Sequence, residues 1–223
     1  MKVGRLILIP TPIDDDSPLE TLAHRHLSNM PKDSMLLVEE EKNCRRRWLN
    51  WQLPRESIDL FTLYNEHTQE KLNPEIIKVL KKGKVVYLMS DCGLPAFCDP
   101  GQKLVDLCHK NKIQVTSTPF ANSIALAMAL SGFDHSEFFF AGFLPHKNRQ
   151  EKLQEILKRK ETVVLMDTPY RLEKLITELD DLDCSREAFL AMDLNTIDEQ
   201  LERGKIKFLR RKWGKREFIL ILK

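Results

Sequence analysis

Short apolar runs alternate with longer segments of helical periodicity along the first half of the chain. The predicted strands are RLILIP (5–10), SMLLV (34–38), IDLFTL (58–63), KVVYLM (84–89) and IQVTST (113–118). The predicted helices, with apolar residues three and four positions apart, are 19–30, 40–53, 68–83 and 102–112. Pro74 is expected to begin a new helix inside the third of these segments. Strands that alternate with helices in this way indicate a parallel sheet with right-handed crossovers.

The second half of the chain has a different order of elements. Its predicted helices are SIALAMALSGF (123–133), RQEKLQEILKRK (149–160), PYRLEKLITELDDL (169–182) and IDEQLERG (197–204). Its predicted strands are EFFFAGFLP (137–145), TVVLMD (162–167), REAFLAMDL (186–194) and, at the end, two strands joined around Gly214. Consecutive strands are typical of an antiparallel or mixed sheet. We therefore predict two α/β domains, 1–118 and 119–223, with a hinge near Pro119.

Composition excludes some classes of protein. Apolar residues make up 42% of the 223 residues, which is enough for a packed core, and the net charge is only +2. Any contact with nucleic acid would therefore need a local basic patch. The apolar run Leu6–Pro10 is too short for a secretory signal or a membrane span, so a cytoplasmic protein is expected. Five cysteines without a CxxC pair predict reduced thiols and no metal site.

The most unusual stretch is SDCGLPAFCDPG, residues 90–101, which follows a predicted strand. Gly93 permits a sharp turn there and leaves the backbone open to a close ligand, and Pro95 stiffens the loop. The Asp99-Pro100 pair has the pattern of a helix N-cap followed by a first-turn proline. Asp91 has no such capping role and is the stronger functional candidate. Because ligands bind at the carboxyl ends of strands in α/β sheets, this loop predicts a small-molecule site.

The whole string resembles the S-D-A-G-x-P-x-x-x-D-P-G signature of the tetrapyrrole methylase-like (class III) methyltransferases, which use S-adenosylmethionine. Within that family, further motifs resemble the ribosomal RNA small subunit methyltransferase I branch. They are LILIPTPI near the start, YNEH at 64–67, SGFDHSEFFFAGFLPHKNR at 131–149 and MDTPYRLEKLITEL at 166–179. The order of these motifs along the chain also matches that branch.

Some positions depart from the family pattern. Asp14–Asp16 replaces the usual Gly-Asn of the opening turn, and Pro119–Ser123 replaces a P-G-P-S-A loop. VEEEK (38–42) stands where the branch has E-D-T-R, and FLAMDLN (189–195) stands where it has R-E-L-T-K. The chain thus resembles a divergent, short subgroup, and the departures weaken the expectation about RNA more than the expectation about the cofactor.

The resemblance implies that S-adenosylmethionine lies in a cleft between the two domains. The residues that it places at the cofactor are Pro12, Asp91, Gly93, Leu94, Pro95, Ala121, Asn122, Ser123, Met166, Thr168 and Pro169. Read without the resemblance, Met166 is equally a core residue, Asn122 and Ser123 can cap a helix, and Thr168-Pro169 is an ordinary helix start. A negative charge at Asp91 would favour a cationic sulfonium nearby.

The activity implied by the resemblance is 2′-O-methylation of a cytidine ribose in 16S ribosomal RNA. A ribose hydroxyl is a weak nucleophile at neutral pH, so a nearby base helps to remove its proton. Glu66 and His67 are the predicted catalytic residues, and Glu39 and Glu40 are further candidates. The pKa of an ordinary histidine suits neutral pH, although His67 could equally be a surface capping residue.

RNA would need basic side chains, and Arg45, Arg46 and Arg47 are the predicted contacts. A second basic cluster contains Arg210, Arg211, Lys212, Lys215 and Arg216. Either cluster could instead be a solvated face. Trp48 and Trp51, which share a helix face, could stack on bases or pack against a neighbouring element or a second subunit. A homodimer is expected from the family. The alternatives are methylation of a tetrapyrrole or another small molecule, and a relative that binds the cofactor without turnover.

Overall fold

The computed structural model of the protein describes residues 4–120 and 122–223. It divides into two compact units, residues 1–120 and 121–223. The first unit contains β1 (Arg5–Ile9), α1 (Thr21–Ser28), β2 (Met35–Val38), α2 (Glu41–Asn50), β3 (Phe61–Leu63), α3 (Gln69–Lys81), β4 (Val85–Met89), α4 (Gln102–Lys110) and β5 (Gln114–Ser117). The second contains α5 (Ser123–Ser131), β6 (Phe138–Phe143), α6 (Arg149–Leu157), β7 (Thr162–Met166), α7 (Leu172–Asp181), β8 (Glu187–Met192), β9 (Gln200–Lys205), α8 (Ile206–Leu209) and β10 (Phe218–Leu222).

The first unit is built on a parallel sheet with the strand order β3-β2-β4-β1-β5 in its described residues. Both faces of the central strands are covered, which explains why KVVYLM reads as a continuous apolar run. Leu6, Leu37 and Leu88 pack on one face, while Ile7, Leu36 and Met89 pack on the other. The carboxyl ends of β1, β2 and β4 therefore meet at one edge of the sheet.

The second unit is built on a mixed sheet with the order β6-β7-β10-β8-β9 in the described part of the chain. β6 and β7 are parallel, whereas β10 runs antiparallel to both of its neighbours. One parallel sheet and one mixed sheet in two α/β units confirm the predicted fold class.

Several elements near the end of the chain differ from the prediction. Residues 200–205 form strand β9 and not the end of a helix, because they pair along their whole length with β8. Residues 206–209 form the short helix α8 in place of a strand, since Ile206 and Leu209, three positions apart, are both buried in the core. Of the two strands predicted around Gly214, only the second, β10, is present in the described residues.

Two smaller differences occur in the first unit. Residues 55–60 form a 3-10 helix, so the predicted strand 58–63 begins only at Phe61. Helix α3 begins at Gln69 and continues through Pro74, so that proline does not begin a new helix. The hydroxyl of Tyr64 donates to Asn73 Oδ1 at 2.8 Å and ties the middle of this helix to the end of β3.

Candidate active site

The loops after β1 and β4 are joined backbone to backbone at Thr11 and Gly93. The two residues exchange a pair of hydrogen bonds of 2.9 Å between their N–H and C=O groups. Gly93 has a φ of +84°, and apart from Gly93 and its two neighbours in sequence no described residue has an atom within 4 Å of the position that a Cβ would occupy. A side chain would fill this open space, which is therefore suited to a ligand that approaches the backbone closely. Of the other residues predicted in these loops, Pro12 and Leu94 are half-buried and Pro95 is buried.

The side chain of Arg47 links the same two loops through hydrogen bonds to their backbone. Its side chain lies on α2, is only 2% exposed, and donates to the backbone carbonyls of Pro12 and Asp91. Its guanidinium also stacks on the ring of Trp51, at 4.9 Å from the ring centroid. Arg47 is therefore a support of the strand-end loops and is not available to RNA as predicted, whereas Arg45 and Arg46 are exposed.

The two tryptophans of α2 pack internally. The indole of Trp48 is fully buried and donates to the carbonyl of Pro54 at 2.9 Å, and that of Trp51 donates to the carbonyl of Ser17 at 3.1 Å. Of the two interpretations that the sequence left open, packing against neighbouring elements is the one that the structure shows. Because both rings are used in the core, neither offers a free face to a base.

The carboxyl groups of Glu39, Glu40 and Asp91 lie close to one another at the ends of β2 and β4. The backbone N–H of Asp91 donates to Glu39 Oε2 at 3.1 Å. Burial, followed by repulsion from Glu39 and Glu40, raises the pKa of Asp91, against a hydrogen bond from Asn43 that lowers it. Glu40 itself caps α2 by accepting from two backbone N–H groups of the first turn. It is therefore part of the scaffold and not a free base.

Asp99 has the most altered acidity at this edge of the sheet. Burial, together with repulsion from Glu39 and Asp91, raises its pKa to about 7, although a hydrogen bond with Ser90 acts in the other direction. The predicted capping role is wrong, because the N-cap of α4 is Gly101 and no side chain caps that helix. Sequence reasoning missed Asp99 as a functional group. The signal available was topological, since neighbouring parallel strands bring residues that follow them to one sheet edge.

A groove of about 480 Å³ opens beside these acids. Asp99 and Glu39 line it, together with Glu66 and His67, the two residues predicted to be catalytic. Glu66 and His67 are 77% and 81% exposed, and Glu66 Oε1 lies 3.4 Å from His67 Nε2. The structure therefore brings a half-buried acid with a pKa near neutrality into the same groove as the predicted pair.

The predicted cofactor residues of the second unit lie at the start of α5 and beyond β7. Asn122 accepts hydrogen bonds from the N–H groups of Ile124 and Ala125, so its side chain caps α5, and Ser123 is the first residue of that helix. Ala121 lies outside the described residues. Met166 is the last residue of β7 and packs partly against the core.

The turn after β7 is fixed by a buried ion-pair network. Asp167 Oδ2 lies 2.6 Å from a guanidinium nitrogen of Arg149, whose Nε lies 2.6 Å from Glu178 Oε2. Asp167 also accepts a hydrogen bond of 2.8 Å from the N–H of Thr168. The backbone of Thr168 and Pro169 is therefore held in place by residues of α6 and α7.

The described residues contain neither a candidate metal-binding cluster nor a candidate membrane-spanning helix. No group of three or more histidine, cysteine, aspartate and glutamate residues in 4–120 and 122–223 has an arrangement that could hold a metal ion. None of the described helices has both the length and the apolar character needed to cross a bilayer.

Comparison with known proteins places this chain in a family. A family model for tetrapyrrole (corrin/porphyrin) methylases matches residues 20–209. The chain is 31% identical to the ribosomal RNA small subunit methyltransferase I of Thermotoga maritima, over 92% of this chain and 89% of that protein. It is 29% identical to the enzyme of the same name from Synechocystis sp., over 99% of this chain and 79% of the other.

A solved structure agrees at the level of the fold. Uroporphyrin-III C-methyltransferase from Thermus thermophilus, crystallised with S-adenosyl homocysteine, superposes with a TM-score of 0.57 at 18% identity and covers 98% of this chain and 97% of its own. From the family match over most of its length, the chain belongs to the tetrapyrrole methylase family and is a methyltransferase that uses S-adenosylmethionine.

Proposed function

We propose that this methyltransferase modifies small-subunit ribosomal RNA, at the ribose 2′-hydroxyl of a cytidine in 16S RNA. The names of the relatives at 29–31% identity support the RNA class. The observation that carries the choice of a hydroxyl acceptor is Asp99, whose pKa is raised to about 7 beside an open groove. A hydroxyl group must lose a proton during the reaction, and a base that titrates near the working pH suits that task.

The strand-end loops of the first unit support binding of the methyl donor there. The open space above Gly93 admits a ligand against the backbone, and the acids at Glu39, Asp91 and Asp99 favour a positive charge nearby. When bound, S-adenosylmethionine supplies a methyl group on a sulfonium that is already an excellent leaving group. We assign its binding to Pro12, Asp91, Gly93, Leu94 and Pro95 in the first unit, and to Asn122, Ser123, Met166, Thr168 and Pro169 in the second.

The chain's own residues then have two tasks. The groove residues hold the acceptor in line, which is the larger contribution for a direct displacement. The ionised carboxylate of Asp99 takes the proton of the acceptor hydroxyl, and the exposed pair of Glu66 and His67 in the same groove passes it to water. Arg45 and Arg46 remain the proposed RNA contacts of the first unit, and Arg46 also pairs with Asp15 at 2.5 Å.

A map of ribose methylation in small-subunit RNA tests this proposal directly. Cells without the gene should lose one cytidine 2′-O-methyl mark, and the purified protein should restore it to small subunits from those cells. An unchanged map would remove the RNA substrate. Transfer to a tetrapyrrole, with none to RNA, would establish the small-molecule alternative instead. We also propose a cytoplasmic homodimer, which light scattering of the purified chain tests for its oligomeric state.

Removing the support beneath the loops should weaken cofactor binding. Arg47→Ala should lower the affinity for S-adenosyl homocysteine roughly ten-fold and the free energy of unfolding by about 1.5–3 kcal/mol, because hydrogen bonds from a charged group to two carbonyls are lost. Arg47→Lys should be intermediate, since an ammonium lacks the fork that serves both carbonyls. Calorimetry and urea unfolding measure the two effects. Lys42→Ala, on the exposed face of the same helix, is the control, and an equal result for both alanine variants would contradict the role.

A further inference from the structure

Tyr170 lies on the surface directly after the turn that we assign to the cofactor. Its side chain is 75% exposed, and it is the middle residue of a 3-10 turn, Pro169–Arg171, that follows β7. Only Pro169 separates Tyr170 from Thr168, so whatever the ring binds is held beside the proposed methyl-donor site. An exposed aromatic ring on its own is common on protein surfaces and indicates nothing further.

A second segment of the chain is anchored against this ring. The backbone N–H groups of Trp213 and Gly214 both donate to Glu173 Oε1, at 2.8 and 3.0 Å. Glu173 lies in the first turn of α7, just after Tyr170. This anchor places Lys215 Nζ 4.6 Å from the centre of the Tyr170 ring. The ring and the ammonium are therefore presented together.

The basic cluster of 210–216 is mostly neutralised by acids. Arg210 pairs with Asp180 and Asp181, Arg211 pairs with Glu202, and Arg216 pairs with Asp193. Lys212 and Lys215 form no ion pair with any residue that the structure describes. Glu173 attracts Lys212 and Glu217 attracts Lys215, but neither contact is an ion pair, and Lys215 also shares a hydrogen bond with Tyr170. The two lysines outside the ion pairs thus lie on the loop that flanks the exposed ring.

We propose that Tyr170, Lys212 and Lys215 form a binding surface for a single-stranded stretch of RNA. One base stacks on the face of Tyr170 that Lys215 leaves open, and the two ammonium groups contact the adjoining phosphates. An aromatic platform beside unpaired cations is the combination that single-stranded nucleic acid recognises. The inference rests on the proposed function, because it names how the RNA substrate is held next to the methyl donor.

Binding of a short, fluorescein-labelled oligocytidylate RNA to the full-length protein tests this surface. Tyr170→Ala should weaken binding roughly ten-fold, whereas Tyr170→Phe, which keeps the ring, should match the wild type. Lys212→Gln and Lys215→Gln should each reduce the slope of log affinity against log salt by roughly 0.7. The KM for small-subunit RNA should rise in parallel, while the affinity for S-adenosyl homocysteine stays unchanged.

Matched controls are available at the other end of β7, the strand that leads to Tyr170, and of its neighbour β6. Phe138 begins β6, is 46% exposed, and lies beside Thr162 at the start of β7. Lys160, which is exposed, precedes that strand start. Phe138→Ala and Lys160→Gln remove the same types of group far from Tyr170 along the strand. They should leave RNA affinity and its salt slope as in the wild type.

The outcomes separate this inference from the proposed function. If the wild type neither binds nor methylates small-subunit RNA, the proposed function is overturned and this surface with it. If the wild type is active on RNA and Tyr170→Ala equals it, the surface alone is overturned. A parallel loss of S-adenosyl homocysteine binding in Tyr170→Ala would also overturn it, because the side chain would then act on the cofactor turn.

Discussion

Asp99→Asn should lower kcat for RNA methylation by about 10²–10⁴-fold, which is the usual contribution of a positioned general base. The wild-type rate should rise with pH through about 7, the pKa to which burial and the neighbouring acids raise Asp99. The residual activity of the variant should lack this rise, since asparagine does not titrate. Single-turnover rates measured across pH with small-subunit RNA give both results.

As pH rises towards 7, the free energy of unfolding of the wild type should fall while its methylation rate rises. The pKa of Asp99 is raised from 3.8 to about 7 in the folded protein, so between those values the folded state binds a proton that the unfolded chain has released. The free energy of unfolding therefore falls as pH rises across this window. Asp99→Asn lacks that fall and should be more stable than the wild type at pH above 7. A loss of activity with a gain in stability cannot come from unfolding.

The control for this experiment is an acid on the helix that follows the loop. Asp106 lies on α4, is exposed, and pairs with Lys110, so Asp106→Asn should leave both rate and pH profile unchanged. Full activity in Asp99→Asn would contradict the assignment. Loss of the pH dependence in His67→Gln, with Asp99→Asn unaffected, would return the role of base to the histidine that the sequence favoured.

Arg149→Met should lower the free energy of unfolding by about 3–5 kcal/mol. The guanidinium of Arg149 lies 2.6 Å from Asp167 and 2.6 Å from Glu178, and all three side chains are largely buried. Without Arg149, Asp167 keeps only a longer contact of 3.6 Å to Arg171, and Glu178 keeps only one of 3.8 Å to Lys174. Breaking the short, buried contacts in this way is strongly destabilising. Urea unfolding of the protein measures this loss of free energy.

Lys174→Met provides the matched control, because Lys174 contacts the same Glu178 from the surface, at 3.8 Å and with its side chain 63% exposed. An exposed ion pair contributes only about 0–1 kcal/mol, so this variant should remain close to the wild type. Equal stability in the two methionine variants would show that the buried network does not hold the turn. Since Asp167 positions Thr168, Arg149→Met should also weaken binding of S-adenosyl homocysteine.

Much of the fold could be predicted because it depends on neighbours along the chain. The apolar run of β4 and the turn at Gly93 follow from local spacing and local backbone preference, and the structure has both. The C-terminal elements could not be predicted in this way. Residues 200–204 of the predicted helix 197–204 lie in strand β9 because they pair with β8. Residues 206–209 form a helical turn and not the expected strand, because this turn buries both Ile206 and Leu209.

In the candidate site, too, some features are visible in the sequence and others depend on the tertiary structure. Asp91, Glu66 and His67 were recognisable because they stand in motifs that are continuous in sequence. The pKa of Asp99 is raised first by burial and then by Glu39 and Asp91. The burial exists only in the folded chain, and these acids come together only when β2 pairs with β4.

The basic residues show the same division. The sequence alone marked Arg47 and the cations of 210–216 as positive charges, but it could not show which of them meet an acid or a carbonyl in the folded chain. Packing on α2 turned Arg47 inward, and the carboxylates of α7, β9 and the segment after β8 neutralised the three arginines. Local order follows from short-range geometry, whereas the charge and acidity of a group depend on residues that only the tertiary structure brings near it.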